Sequence, residues 1–342
     1  MRKKTIGFGV IGLGAIADFH IRSIKEAEAC ELKAISVSRP EKTEAAKNEY
    51  NVDVYSDFRE MVSRPDIDIV CICTPSGAHL EPTLVAAKAG KHVLTEKPLE
   101  VTVERAEQMI QACDDAGVKL GCIFQNRFKT DYLKLKEAVR NGELGDLLLG
   151  NAYIKWFRDQ EYYASKPWRG TFAGDGGAAL INQSIHTIDL LLDIMGDVDW
   201  VNGNVRTLRH NIEGEDVGVA HVAFKNNAIG TIEGATAVFP GYPERLEIHG
   251  TKGGVVLEGG KIKVWNVPGA THDDDGGGEL KVGASDPLAI DHAQHKFQIE
   301  DMADAVRNGT QPAVSGKDAL ASLKLIKAVY ASSKKKGAPV TL

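Results

Sequence analysis

Asn182, His186 and Asp189 recur at i, i+4 and i+7 in a segment otherwise dominated by Leu180, Ile181, Ile185, Ile188 and Leu192. Read as a helix, this spacing puts the three polar side chains on one face. Such a stripe on so apolar a helix needs partners once buried, either other protein groups or the hydroxyls of a substrate. The second chemical candidate is Lys97, in the run Gly90-Lys-His-Val-Leu-Thr-Glu96-Lys97-Pro98. It follows a short apolar strand pattern, and doubly wound sheets place ligands at the carboxyl ends of their parallel strands. Burial and a neighbouring positive charge disfavour its charged form and bring its pKa toward a value useful for proton transfer. Alone, each group has an ordinary reading: a satisfied core histidine for His186, a surface lysine for Lys97.

A third segment, Val10-Ile-Gly12-Leu-Gly14-Ala-Ile-Ala17, is a G-x-G-x-x-A fingerprint between a strand and a helix pattern. Gly12 allows the tight turn, Gly14 lets the backbone approach a pyrophosphate and Ala17 permits close packing, while the helix N-terminus faces the negative charge. An acid about 20 residues further on would accept the ribose hydroxyls of NAD. The second strand instead ends Ala34-Ile-Ser-Val-Ser38-Arg39, with Val37 or Ser38 at the expected position and Lys42 a few residues later. Ser38 and Arg39 therefore favour NADP(H), with NAD(H) possible if Arg39 only stacks on adenine.

The elements that must position these groups fall into two textures. Up to residue 125, short apolar runs (Thr5 to Ile11, Leu32 to Ser38, Ile69 to Cys73, His92 to Leu94, Lys119 to Phe124) alternate with helix patterns, which predicts a doubly wound domain over 1–125. The remainder, 126–342, carries longer alternating runs separated by turns such as Lys225-Asn-Asn227 and Gly259-Gly260, the pattern of an antiparallel sheet. Two helices, about Gln294 to Asn308 and Lys317 to Lys335, are expected to pack back across the domains. In Asp216 to Thr236 both alternating faces are largely apolar, so both are expected to be covered, one by helices and one by another subunit.

With 342 residues, 43% hydrophobic content and a net charge of -6, the chain offers no basic field for nucleic acid and no run long enough to span a membrane. Cys30, Cys71, Cys73, Cys113 and Cys122 form no C-x-x-C pair and read as thiols of a reducing cytoplasm. No metal is expected: Cys71 and Cys73 lie in a strand, and Thr271 to Pro287, despite Asp273-Asp-Asp275, lacks the spaced ligands of a calcium loop.

Taken together, Gly12-Leu-Gly14-Ala-Ile-Ala17-Asp-Phe-His20, Thr74-Pro75, Ala78-His79, Glu96-Lys97-Pro98 and Gly176-Gly177 through His186-Thr-Ile-Asp189 resemble the Gfo/Idh/MocA family from residue 5 to the tail. The resemblance implies an α/β protein: an N-terminal Rossmann domain plus a C-terminal α/β domain whose large, mostly antiparallel open sheet makes homodimers or homotetramers. It implies hydride transfer between a nicotinamide cofactor and a ring hydroxyl or ketone of a sugar, polyol or sugar derivative, a sugar-nucleotide uronate 3-dehydrogenase being one alternative and a silent cofactor-binding regulator another. Carried over, Lys97 exchanges a proton with the reacting oxygen and His186 is the second group there. Asn182 stands where many members have aspartate, so it orients hydroxyls without relaying a proton. Gly12, Gly14, Ala15, Ile16, Thr74, Pro75, His79, Glu96, Asn126, Trp168 and Arg169 are expected along the cofactor, and Asp189, Arg169 and Tyr163 toward the substrate.

Overall fold

The computed structural model describes residues 3–268 and 292–342, so the Asp-rich loop singled out above lies outside the described residues. Two compact units result: one runs to Gln125 and resumes in the segment that ends at Leu320, and the other starts at Asn126 and is completed from Ala321 onward.

In the first unit, β1 (Ile6–Ile11), β2 (Cys30–Ser36), β3 (Asp53–Tyr55), β4 (Ile69–Ile72), β5 (His92–Thr95) and β6 (Leu120–Cys122) form one sheet in the order β3-β2-β1-β4-β5-β6. All its pairings are parallel. Every residue of β1 and β4 is buried, because a parallel sheet covered on both faces needs continuous rather than alternating apolar strands. The helix Ala15–Glu26 buries Ala17, Ile21 and Ile24, three positions at helical spacing, against this sheet. Strand β3 has no counterpart in the sequence reading, since a three-residue edge strand carries too little pattern to register. The helix Ala293–Asn308 belongs to this unit, with Ile299, Met302 and Ala303 in the same core.

The second unit is built on β7 (Leu147–Lys155), β8 (Val198–Arg206), β9 (Val217–Phe224), β10 (Ile229–Ala235), β11 (Arg245–Gly250), β12 (Gly254–Glu258), β13 (Lys261–Asn266) and β14 (Val340–Thr341). Their order is β13-β12-β11-β7-β10-β9-β8-β14, antiparallel throughout except for the β7–β10 pair. Along β9 the residues Gly218, Ala220, Val222 and Phe224 are buried while Val219 is 50% exposed. Among the described residues, the Gly218–Phe224 face of β9 is the more fully covered, in part by the segment Ala179–Met195, where Leu180 packs against Gly218 and Gly234. Among the described residues, no helix is long and apolar enough to cross a membrane.

Candidate active site

In the first unit the chain turns from β1 into its first helix through Gly12, whose φ of 92° suits glycine and whose missing Cβ would lie 2.9 Å from the Cys73 carbonyl oxygen. Gly14 serves differently. It is exposed, and a Cβ placed there meets nothing within 4 Å, so the space before the helix N-terminus is open to a ligand. Ala15 is exposed, Ile16 half-buried, and Thr74 and Pro75 follow β4, which adjoins β1 where the strand order reverses. Ser38 and Arg39 stand exposed beyond the end of β2. This cradle fits a dinucleotide.

His79 does not line it. The ring is fully buried, with Nδ1 3.1 and 3.2 Å from the carbonyls of Pro98 and Leu99 and Nε2 3.1 Å from that of Thr74. Burial pushes its pKa down against the pull of these carbonyls. It braces the Thr74-Pro75 turn to the segment after Lys97, so its part is to hold the cradle's shape.

Glu96 is likewise turned inward, 6% exposed. Its Oε1 accepts from His20 Nε2 at 2.8 Å, its Oε2 accepts the Lys97 backbone N–H at 3.2 Å, and His295 Nε2 lies 3.9 Å away. Burial raises its pKa, but the His20 hydrogen bond and the charges of His20, His295 and Lys97 outweigh that and hold it at about 2. Burial drives His295 the other way, to about 4, so the ring is neutral near pH 7. His20, Glu96 and His295 stand close enough to suggest a metal site. Metal-bound histidines, however, give their second nitrogen to an outer acceptor, and both Nδ1 atoms here are buried without a hydrogen-bond partner among the described residues. The donor set suits an anchored carboxylate instead. It fixes the backbone of half-buried Lys97. Nothing local in the sequence marks His295, which reaches Glu96 from 199 positions away.

In the second unit, Ala179–Ser184 forms a π-helical turn and the α-helix starts only at Ile185. The regular 3.6-residue period therefore does not run through Asn182, and π turns of this kind concentrate at functional sites. Asn182 is half-buried and held on both sides: its Nδ2 donates to Asp175 Oδ1, and its Oδ1 accepts from Gln183 Nε2 at 2.7 Å. Gln183 also donates to the Tyr162 hydroxyl and accepts from Arg158, both at 2.9 Å. The guanidinium of Arg169 stacks 4.1 Å from the Tyr162 ring centroid and lies 5.5 Å from that of half-buried Trp168. Asp175, Gln183 and Arg158 were not singled out in the sequence. His186 is 9% exposed, on the first turn of the helix.

Two residues expected at the substrate are committed elsewhere. Asp189 is fully buried and takes a bidentate pair from Arg127, Nε at 2.7 Å and Nη2 at 2.8 Å. Burial would lower the Arg127 pKa, but Asp189 and Asp193 raise it well above its ordinary value. Tyr163, 4% exposed, closes its hydroxyl on Thr236 Oγ1 at 2.7 Å. Both carry structure. Asn126, next to Arg127, remains half-buried.

Residues 6–124 match the oxidoreductase family with the NAD-binding Rossmann fold, GFO/IDH/MocA, and residues 132–256 match the GFO/IDH/MocA C-terminal domain. The chain is 28% identical over 323 residues to a myo-inositol 2-dehydrogenase of Thermotoga maritima, covering 93% of each. It is 32% identical over 201 residues to a D-glucoside 3-dehydrogenase of Escherichia coli, covering 57% of this chain and 56% of that protein. Among solved structures, the WlbA dehydrogenase of Bordetella pertussis in complex with NADH and UDP-GlcNAcA superposes with a TM-score of 0.88 at 31% identity, covering 99% of both chains.

Proposed function

Because the chain belongs to the GFO/IDH/MocA oxidoreductase family, we propose that it transfers hydride between a nicotinamide cofactor and a CH–OH carbon of a sugar, polyol or sugar derivative. When bound, the nicotinamide supplies or takes up the hydride. Lys97 exchanges the proton of the reacting oxygen, and His186 hydrogen-bonds that oxygen. Asn182, its amide fixed by Asp175 and Gln183, orients a neighbouring hydroxyl. It carries no titrating group, so proton movement stays with Lys97 and His186. The observation that carries the reading is the presence of both groups, Lys97 two residues beyond the end of β5 and His186 two residues beyond the π-helical turn.

A sugar-nucleotide uronate is the second reading within this class. Arg169, stacked on the Tyr162 ring and partly exposed, offers a planar cation suited to a carboxylate or phosphate. The WlbA relative was solved with such a ligand. For the cofactor, exposed Arg39 and the presence of Val37 and Ser38, rather than an acid, directly after β2 favour NADP(H) over NAD(H). A homo-oligomer closing over the open sheet face, where Val219 and Ile229 are 50% and 48% exposed, accounts for that apolar surface. A cytoplasmic setting suits the five free thiols.

The test is turnover with NAD and NADP across inositols, free aldoses and nucleotide-linked uronates, read by nicotinamide absorbance. Reduction of cofactor with at least one of these is the expected result. Tight cofactor binding with no turnover on any of them would replace the enzyme by a cofactor-binding regulator. A monomer by sedimentation at micromolar concentration would remove the oligomer.

A further inference from the structure

The turn that presents Asn182 is held by a residue far from it in sequence. Glu215, 3% exposed, lies just before β9. Its Oε2 accepts the Ala178 N–H at 3.2 Å, its Oε1 accepts the Leu180 N–H at 2.7 Å, and its own backbone carbonyl accepts the Ala179 N–H at 2.9 Å. One residue thus satisfies three consecutive amides at the start of the π-helical turn. A helix start leaves such amides unpaired, and no side chain of the turn itself caps them. The Tyr330 hydroxyl completes the arrangement by donating to Glu215 Oε1 at 2.9 Å.

The packing around this clamp leaves no slack. Gly177 has a φ of 145°, and a Cβ there would stand 2.3 Å from the Tyr330 hydroxyl and 3.0 Å from Glu215 Oε2. Lys327, one turn before Tyr330, donates to the Gly176 carbonyl at 2.7 Å. The carboxylate therefore meets the buried amides of a helix start, where a negative charge is favoured. Burial nevertheless raises the Glu215 pKa, against the lowering by its hydrogen bonds to Leu180, Tyr330 and Ala178.

We propose that Glu215, completed by Tyr330, is a positioning residue that sets the turn bearing Asn182 and the start of the helix bearing His186. It touches neither substrate nor cofactor in this role. The proposal rests on the reading that Asn182 and His186 meet the substrate. A glutamine cannot replace the carboxylate, because its amide nitrogen would face a backbone N–H or the Tyr330 hydroxyl proton. Misplacement of catalytic groups by small shifts lowers turnover more than it lowers remote binding.

The experiment compares Glu215→Gln, Tyr330→Phe, the double variant and His186→Ala, using whichever of myo-inositol or UDP-GlcNAcA is turned over. NADH affinity is measured in parallel by fluorescence. Expected is a kcat at least tenfold lower in Glu215→Gln, a smaller loss in Tyr330→Phe, NADH affinity within twofold of the parent in both, and a double variant little worse than Glu215→Gln. A kcat within twofold of the parent in Glu215→Gln, or a loss of NADH affinity that parallels the loss of kcat, overturns the proposal. If Glu215→Gln does not fold, Tyr330→Phe decides: severalfold lower kcat with NADH binding kept supports the clamp, and unchanged kcat refutes it. Normal turnover in His186→Ala sinks the reading of the site and the proposal with it. Collapse of His186→Ala beside an intact Glu215→Gln sinks the proposal alone.

Discussion

Asn182→Asp would restore the carboxylate that many family members carry, and its neighbours decide what that does. The Asn182 amide donates to the Asp175 carboxylate, so the substitution turns a donor–acceptor contact into two carboxylates in contact. Asp175 is 3% exposed and already accepts the Gly170 N–H at 3.0 Å with its other oxygen. Two unit charges about 4 Å apart repel by roughly 4 kcal/mol at an effective dielectric of about 20. Position 182 is half-buried, so solvent screening reduces this to about 2 kcal/mol. The pair then shares a proton, and its upper apparent pKa rises by about one to two units above an ordinary carboxylate. Above that pKa the turn is pushed apart, and kcat/KM at pH 8 is expected to fall about ten- to thirtyfold. Below it, a shared proton rebuilds the contact, and the deficit should shrink to a few-fold near pH 5.5. The assay is a kcat/KM profile from about pH 5 to 9, with Asp175→Asn added to the variant as a rescue. A profile parallel to that of the parent, or a rescue that changes nothing, would refute the reasoning.

Lys97→Met keeps much of the aliphatic bulk but removes the exchangeable proton; kcat should drop by about two to four decades with cofactor affinity nearly unchanged, and near-normal turnover would exclude Lys97 as the acid/base group. Gly14→Val should abolish nucleotide binding and leave the melting temperature close to that of the parent, since a Cβ there meets no protein atom within 4 Å; retained affinity counts against the cradle. Arg39→Ala should weaken NADPH by about 1 to 3 kcal/mol and NADH much less, as measured by titration, and a parent that binds NADH more tightly contradicts the cofactor preference. Acid should loosen the first unit in two steps. His295, held at about 4 when folded against an ordinary value of 6.5, contributes stability that is complete above pH 6.5 and lost as pH falls toward 4. Glu96, held at about 2 against 4.5, contributes stability that is complete above pH 4.5 and lost as pH falls toward 2. His295→Leu should flatten the upper step in thermal melts recorded against pH, and an unaltered dependence there would exclude His295 as its source.

Most of the fold was legible because it is written in local periodicity. β1 and β4 are continuous apolar runs, β9 alternates, and Gly12 marks a turn that only glycine forms easily, so each element announces itself within a few residues. The candidate site was legible only where a motif is contiguous, as at Gly14 and at Lys97. Where a side chain's role depends on a partner distant in sequence, pattern failed. Asp189 has the spacing of a substrate ligand, but its charge is taken by Arg127, 62 positions earlier. Glu96 sits in a motif beside the cofactor cradle, but its carboxylate faces His20 and His295. A buried charge must find an opposite charge or a set of donors, and the first to be brought within reach by the fold claims it. Periodicity therefore reveals which polar residues are buried, whereas only the three-dimensional partner distinguishes a group available to substrate from one already spent on structure. Asn182, neutral, half-buried and bonded through its amide to Asp175 and Gln183, is proposed to be of the first kind. Asp189, bonded through both oxygens to one guanidinium, is of the second.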